Sequence, residues 1–216
     1  MGGIFFVQSN RIAIIGGTGK VGRYIAKKAL ESGFQVRMLV RNPDKLTYSD
    51  DRIELIKGDA QNKTSIRTLI KDCHIVINTL GQPLKDFPIY SSVTSNILNF
   101  MGEFGIRRYI GVTGASLNVT GDKKKLVNRI GAKMFELLFS EMIADKKKEL
   151  TILQNSDVEW TLVRLPFVVE GPETGRIKEK LTDMPGVKIS NENIAKFIIN
   201  QINDKKYLEK TPCISN

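Results

Sequence analysis

Residues 11–22 read Arg-Ile-Ala-Ile-Ile-Gly-Gly-Thr-Gly-Lys-Val-Gly, an apolar run that passes directly into a glycine-rich turn. A short, nearly continuous apolar run is typical of a strand buried on both faces of a parallel sheet. Beyond the turn, apolar residues recur at helical spacing as far as residue 30. The stretch therefore predicts a strand, a tight turn and a helix in direct succession.

The rest of the chain repeats this alternation. Further strands are predicted at residues 35–40, 53–56, 75–80, 109–113 and 160–165, and helices at residues 21–30, 64–71, 91–104 and 192–202. Strands alternating with helices specify an α/β fold with a doubly wound, mainly parallel sheet and right-handed crossovers. Because no linker or repeat interrupts the pattern, residues 1–216 are predicted to form a single Rossmann domain, with residues 1–10 as an N-terminal extension.

The charge balance favours anionic ligands. The chain has 216 residues, and 33 Lys and Arg against 23 Asp and Glu give a net charge of +10. Much of the excess lies in the lysine runs at residues 123–125 and 146–148. Neither run is interleaved with aromatic residues, and no helix-turn-helix, zinc-finger or RNA-recognition signature accompanies them. We therefore expect solvated faces or attractors of small anions, and no nucleic-acid partner.

Residue usage excludes several other classes of protein. Cys73 and Cys213 show no metal-ligand spacing, and His74 is the only histidine. Neither a zinc site nor a histidine-based triad can therefore be assembled, and no metal is expected. His74 itself is expected at the surface. Since the chain also lacks a membrane-length apolar run and a basic, signal-like start, the sequence predicts a cytoplasmic protein without membrane association.

The glycine-rich turn predicts a dinucleotide site. At a first strand-to-helix turn, Gly16 permits the sharp bend, Gly19 lets a pyrophosphate approach the backbone, and Gly22 lets the helix pack closely on the strand. The helix N-terminus then attracts the phosphate charge. A Walker loop would require Ser or Thr after its lysine, and this chain has valine there. The predicted loop contacts are Gly16, Thr18, Gly19, Lys20, Val21 and Gly22.

Arg41 indicates which dinucleotide is bound. It stands 19 residues after Gly22, at the end of the second predicted strand. NAD-specific sites usually carry Asp or Glu there to bind the ribose 2′-hydroxyl, whereas a guanidinium suits the 2′-phosphate of NADP. We therefore predict NADP(H) as the preferred cofactor and retain NAD(H) as the alternative. A merely solvated charge at the strand end is the other interpretation of Arg41.

The later landmarks extend the pattern to residue 216. The relevant segments are residues 16–22, 40–43, 57–60, 78–81, 109–113, 158–166, 189–195 and 212–215. As a set they resemble the atypical short-chain dehydrogenases, in the branch of NmrA-like and flavin reductase or biliverdin-IXβ-reductase-like proteins. The resemblance implies contacts to adenine from Asp59 and Ala60. It also implies that ribose and nicotinamide lie against Thr79, Leu80, Gly81 and Thr113, with Pro166 and Phe167 closing over the nicotinamide side.

Departures from this family weaken the prediction of a specific reaction. Many short-chain dehydrogenases pass a proton through a Tyr-x-x-x-Lys pair, but here that spacing occurs only at Tyr24 and Lys28 of the first helix, which we read as coincidence. Positions that carry Ser or His in the biliverdin-reductase-like members read Gly114, Lys146 and Phe167. This counts against biliverdin as the substrate.

Four residues remain as candidates near the point of hydride transfer. Thr113 and Ser116 would donate hydrogen bonds to a substrate carbonyl or a flavin, or else cap their loop. Lys146 and Lys147 would hold an anionic substrate, or else be surface charges. The sequence identifies no acid–base pair among them, and a flavin or quinone acceptor can take its proton from solvent.

These observations predict an NADPH-dependent reductase that transfers hydride to a small planar acceptor such as a flavin or quinone. The alternative is a non-catalytic NADP(H)-binding redox sensor of the NmrA-like type. A monomer or a homodimer is expected.

Residues 114–150 form an insertion with lysine runs and an apolar middle. It is expected either to pack into the core, to close as a lid over the site, or to join two subunits.

Overall fold

The computed structural model describes residues 11–43, 50–83 and 86–216, so the predicted N-terminal extension lies outside the described residues. Strands and helices alternate through most of these ranges. The strands are β1 (Arg11–Ile15), β2 (Gln35–Val40), β3 (Ile53–Lys57), β4 (Ile75–Asn78), β5 (Arg108–Gly114), β6 (Glu159–Leu165), β7 (Phe167–Val169), β8 (Lys178–Lys180), β9 (Lys188–Ser190) and β10 (Cys213–Ser215). The helices are α1 (Gly22–Glu31), α2 (Lys63–Ile70), α3 (Tyr90–Phe104), α4 (Leu126–Leu138), α5 (Ser140–Gln154) and α6 (Asn191–Asn200).

The main sheet has the order β3-β2-β1-β4-β5-β6-β10-β8. Its pairs are parallel except for β10 with β8, which are antiparallel at the edge. Strands β7 and β9 form a separate parallel pair. The predicted fold class, a single doubly wound Rossmann domain, is confirmed. The six predicted strands correspond to β1–β6, whereas β8 and β10 extend the sheet beyond the prediction.

The order in which strands are added to the sheet reverses at β1: β2 and β3 lie on one side of it, and β4, β5 and β6 lie on the other. Strand β2 pairs on one side of β1 and β4 on the other, so that Ile14 lies opposite both Met38 and Ile77. Immediately beyond β4, the amide and the hydroxyl of Thr79 both donate to the carbonyl oxygen of Ile15 at 2.9 Å. A crevice opens beyond the carboxyl ends of strands at such a reversal, which is where α/β sheets bind ligands.

Helices cover both faces of the sheet. Because side chains alternate along a strand, Ile12 and Ile14 pack under α1 and α6, whereas Ala13 and Ile15 pack under α2, α3 and α5. The apolar stripe of α1, which includes Ile25, is buried in the first of these layers. The continuous apolar run of β1 is therefore explained by burial on both faces, as the sequence predicts.

The insertion at residues 114–150 contains α4 and α5, which pack differently. Helix α5 buries Met142 and Ile143, as core packing requires. Helix α4 buries only Ala132 and turns a face of large apolar side chains to solvent. That exposed face consists of Leu126, Val127, Ile130, Met134, Leu137 and Leu138. Core packing thus holds for α5 but not for the outward face of α4.

The lysine run that precedes α4 corrects one expectation. The Lys124 ammonium donates to the carbonyl oxygens of Ala115 and Leu117 at 3.0 and 3.1 Å and to Asn118 Oδ1 at 2.9 Å. Its side chain is largely buried, and burial lowers its pKa. The prediction of a solvated face is therefore wrong for Lys124, because the loop folds its own carbonyl groups around this ammonium. Lys123 and Lys125 are exposed as expected.

Candidate active site

A cleft of about 760 Å³ lies at the carboxyl ends of the central strands, beside the reversal at β1. It brings together most of the residues that the sequence singles out. Those that line it are Gly16, Thr18, Gly19, Lys20, Val21, Arg41, Asp59, Ala60, Thr79, Leu80, Gly81, Thr113, Lys146 and Pro166. Four candidates do not line it, namely Gly22, Ser116, Lys147 and Phe167.

The glycine loop has no room for side chains at two of its positions. Gly16 has a φ of +75°, and a Cβ there would lie 2.5 Å from the carbonyl oxygen of Thr79. A Cβ on Gly22 would lie 2.2 Å from the carbonyl oxygen of Gly16. Gly22 therefore lies beneath the loop and supports it from below, which is why it does not line the cleft. Its predicted role in close packing fits this position.

The N-terminus of α1 opens onto this loop. Its N-cap residue, Val21, makes no side-chain capping hydrogen bond, and the first turn contains no acidic side chain. The first amide groups of a helix attract anions when no side chain satisfies them. The loop and helix start together form a cradle that fits a pyrophosphate.

Arg41 lies at one end of the cleft, one residue beyond β2, and is exposed. Asp59 and Ala60 come from the neighbouring turn after β3. The Asp59 carboxylate accepts the backbone amide of Gln61 at 2.8 Å, so it holds that turn in shape. A guanidinium beside a carboxylate and the small apolar side chain of an alanine fits an adenosine that carries a 2′-phosphate.

The opposite end of the cleft, called here the dry end, is lined by buried and apolar side chains. Thr113 is only 4% exposed, and its hydroxyl is buried with no hydrogen-bond partner among the described residues. Thr113 and Lys146 both line this end, as do the apolar residues Leu80 and Val168. An unsatisfied buried hydroxyl in a cleft is explained most simply when a bound ligand supplies its partner.

Lys146 corrects a second expectation. It is 7% exposed, and its ammonium lies 3.5 Å from the centroid of the Tyr90 ring. The interpretation as a surface charge is therefore wrong, because α5 packs against α3 and presents this side chain to the cleft. Lys147, by contrast, is exposed and pairs with Glu136 at 2.5 Å. Only the first of these two lysines lines the cleft.

Phe167 departs from the arrangement that the family resemblance implies. It is 81% exposed, whereas its neighbours Pro166 and Val168 line the cleft. Successive side chains of an extended strand point to opposite sides, so contact of Pro166 and Val168 with the cleft turns Phe167 away. Pro166 and Val168 are therefore the residues of this segment that line the cleft. Ser116 is half-buried in the loop after β5 and does not reach the cleft.

Tyr90 and Glu149 were missed by the sequence analysis. Tyr90, the first residue of α3, is 6% exposed and lines the cleft. Glu149 is one turn beyond Lys146 on α5, and its Oε1 accepts the Thr94 hydroxyl at 2.9 Å. Its other oxygen is buried without a partner among the described residues. The one available signal was helical spacing, because Lys146 and Glu149 share a helix face with Ile143 and Leu150.

Burial perturbs the titration of this group. Desolvation lowers the pKa of Lys146, although the charge of Glu149 opposes that shift. Desolvation raises the pKa of Glu149 against the effect of the Lys146 charge. It also raises the pKa of Tyr90, with further contributions from Glu149 and Asp145. Perturbed titratable groups that converge on a cleft are characteristic of functional sites.

Comparison with known proteins agrees with this geometry. The sequence model of a family described as NAD(P)H-binding matches residues 16–205. The chain belongs to this NAD(P)H-binding family. Its cofactor is therefore NADH or NADPH, and the match begins at Gly16 of the glycine loop. Among the described residues there is no group of side chains arranged to hold a metal ion.

Solved structures share the fold over nearly the whole chain. A short-chain dehydrogenase/reductase from Veillonella parvula, solved in complex with NADP, has a TM-score of 0.76 at 17% identity and covers 96% of this chain and 94% of its own. ChuY, an anaerobillin reductase from Escherichia coli O157:H7, has a TM-score of 0.79 at 16% identity and covers 95% and 96%. These likenesses confirm the expected resemblance to short-chain dehydrogenases at the level of the fold.

Curated relatives match over shorter stretches. An isoflavone reductase homolog from Nicotiana glauca is 32% identical over 114 residues, which is 48% of this chain and 34% of the relative. The chain spans between 27% and 34% of the length of the isoflavone reductase homologs that it matches. In the part of the chain that the structure describes, no helix is long and apolar enough to cross a membrane.

Proposed function

We propose that the protein is an NADPH-dependent reductase that transfers hydride to a flavin, a quinone or a similar planar acceptor. The observation that carries this proposal is the continuity of one cleft, which runs from the glycine loop and Arg41 to the dry end at Thr113 and Lys146. When bound there, NADPH supplies a hydride from its nicotinamide ring. The roles of the protein are to bind, to orient and to exclude water.

The cofactor-binding roles follow from position. Arg41 pairs with the 2′-phosphate, and the glycine loop with the start of α1 receives the pyrophosphate. Asp59 and Ala60 form the wall beside adenine. The turn after β4 contacts ribose and nicotinamide, and it is held rigid by the Thr79 bonds to Ile15. Thr113 supplies a hydroxyl for the nicotinamide end.

The acceptor-binding roles fall to the dry end of the cleft. Leu80 and Val168 provide apolar walls against which a flat ring system can lie. Because apolar walls lower the local dielectric constant, they also strengthen the electrostatic effect of the Lys146 ammonium on charge that develops on the acceptor. This arrangement suits an acceptor that becomes more negative as it is reduced.

One observation favours the sensor alternative. In a Tyr-x-x-x-Lys pair that ended at Lys146, the tyrosine would occupy position 142, and this chain has Met142 there, buried in the core. A protein that reports the ratio of NADP to NADPH would need the binding half of the cleft and no proton donor. Such a protein would bind NADPH without consuming it.

The test is NADPH oxidation against a panel of flavins, quinones and tetrapyrroles, with NADPH and NADH affinities measured on the same preparation. The reductase predicts turnover of at least one acceptor. Lys146→Met, which keeps the length of the stem, should lower this turnover and leave NADPH affinity within a factor of about three, since the ammonium lies far from the phosphates. Tight NADPH binding with no turnover of any acceptor would establish the sensor instead.

A further inference from the structure

Tyr90 and Lys146 form a buried phenol–ammonium pair at the dry end of the cleft. Tyr90 begins α3, and its ring packs on Met142 and Ile143 of α5. The Lys146 ammonium lies above the face of that ring, 3.5 Å from its centroid. We propose that Tyr90 is the proton donor of the reduction and that Lys146 is the cation that stabilises its phenolate. This inference rests on the proposed reductase function.

Tyr90 lines the cleft although it is only 6% exposed. Gln82, in the turn after β4, lines the cleft with Tyr90, and its backbone lowers the pKa of the phenol against the effect of burial. Phe135 of α4 and Phe139, between α4 and α5, pack against the apolar cluster that contains the Tyr90 ring. Tyr90 is therefore fixed by packing at a position that lines the cleft.

The charges around Tyr90 keep it protonated until the reaction requires the proton. Burial raises its pKa, and the carboxylates of Asp145 and Glu149 on α5 add to that effect. Both carboxylates are engaged by α3, Asp145 by the amide and hydroxyl of Ser91 and Glu149 by Thr94. From α4 and the residue after it, the side chains packed against this cluster are the apolar Phe135 and Phe139. At neutral pH, Tyr90 is thus a neutral acid with a cation above its ring.

The proton transfer balances as follows. The acceptor gains the hydride and its electron pair, and an oxygen or nitrogen of the acceptor becomes basic. The O–H bond of Tyr90 breaks, the proton forms a new bond to that atom, and the electron pair stays on the phenolate oxygen. The Lys146 ammonium, above the face of the ring, stabilises this anion in a medium of low dielectric constant. A proton from water then restores the phenol.

Tyr90→Phe tests the donor role because it removes only the hydroxyl and keeps the ring under Lys146. We expect kcat to fall by about 100-fold or more, which is the usual contribution of a general acid, with KM and NADPH affinity within a factor of about two. The matched control is Tyr207→Phe. It removes a buried phenol that bonds to Glu179 away from the cleft, and it should leave kcat unchanged.

A second measurement needs no cofactor. Ultraviolet difference titration of the wild type against Tyr90→Phe isolates the ionisation of this phenol. The phenol should titrate above the ordinary tyrosine pKa of 10.0, because burial and the carboxylates of Glu149 and Asp145 raise its pKa. A Tyr90 pKa below 10.0 would contradict the buried, carboxylate-flanked environment from which the donor role is argued and would overturn that role.

The reductase function and the donor role of Tyr90 can be overturned separately. A wild-type protein that binds NADPH but reduces no acceptor overturns the reductase function, and the donor role with it. A wild-type protein that turns over an acceptor, with Tyr90→Phe equally fast, overturns the donor role alone. Loss of NADPH affinity in Tyr90→Phe would show that the hydroxyl serves the structure of the cleft, and this too would overturn the donor role.

Discussion

Gly22 lies directly under the carbonyl group of Gly16, with its Cβ position 2.2 Å from that oxygen and 2.6 Å from the Cα of Gly17. Two segments of backbone therefore touch where α1 begins. This contact presses the helix N-terminus against the loop that ends β1. The shape of the phosphate cradle depends on it, although Gly22 itself does not line the cleft.

Gly22→Ala should therefore abolish measurable NADPH binding and lower the free energy of unfolding by about 1–3 kcal/mol, since the added methyl group must displace backbone. Gly102→Ala is the matched control. It makes the same change inside α3, where a Cβ would meet nothing, and should stabilise the protein by up to about 1 kcal/mol. Denaturant unfolding and NADPH titration measure both effects. Wild-type affinity in Gly22→Ala would show that the loop does not form the cradle.

Arg41→Asp should weaken NADPH binding by about 2–4 kcal/mol, because a charge-assisted contact becomes a repulsion, and should change NADH binding far less. Arg129→Asp makes the same change of charge on the exposed side of α4 and controls for the net charge of +10. Calorimetric titration of both cofactors gives the comparison. Equal weakening of NADPH and NADH would mean that Arg41 does not distinguish between them.

The two cysteines should be unreactive in the folded protein. Both are free and buried, and burial raises the pKa of each thiol to about 11. Because the thiolate is the reactive form, labelling by a disulfide reagent at neutral pH should be much slower than for an exposed thiol. Its rate should rise with pH toward 11 and should reach that of a model thiol on unfolding. Rapid labelling of the native protein at pH 7 would contradict the described burial of Cys73 and Cys213.

The outward face of α4 should form a contact between subunits. Its apolar side chains point away from the cleft, and an exposed apolar face of this extent commonly marks an interface. Leu137→Ser combined with Leu138→Ser should convert a dimer to a monomer in sedimentation experiments while the KM for the acceptor stays unchanged. A higher KM with no change of mass would instead favour the lid function of residues 114–150.

The sequence is sufficient to predict the doubly wound sheet because its signals are local. The run before Gly16 is apolar at every position from Ile12 to Ile15, and each glycine of the loop has a recognisable role. Strands β8 and β10 are three residues each and derive their pairing from the neighbouring strand, so no periodicity marks them. Their existence depends on tertiary contacts.

The candidate site divides in the same way. The cofactor end follows from contiguous motifs, and the cleft brings those residues together. Lys146 sits in a run of three lysines and looks like surface charge until α5 packs on α3 and covers it. Tyr90 is a single aromatic residue with no motif around it. Its pairing with Lys146 depends on the packing of α3 against α5. Because 35 residues separate the end of α3 at Phe104 from the start of α5 at Ser140, no local pattern encodes this pairing.

The central claim is that this cleft transfers hydride from NADPH to a planar acceptor. Single-turnover mixing tests it most directly: protein saturated with NADPH is mixed with an excess of the best acceptor, and the near-ultraviolet absorbance of the bound NADPH is followed. The account predicts a single decay to NADP that is slower with NADPH deuterated at the transferred position and much slower in Lys146→Met. Bound NADPH that stays reduced at every acceptor concentration would contradict it.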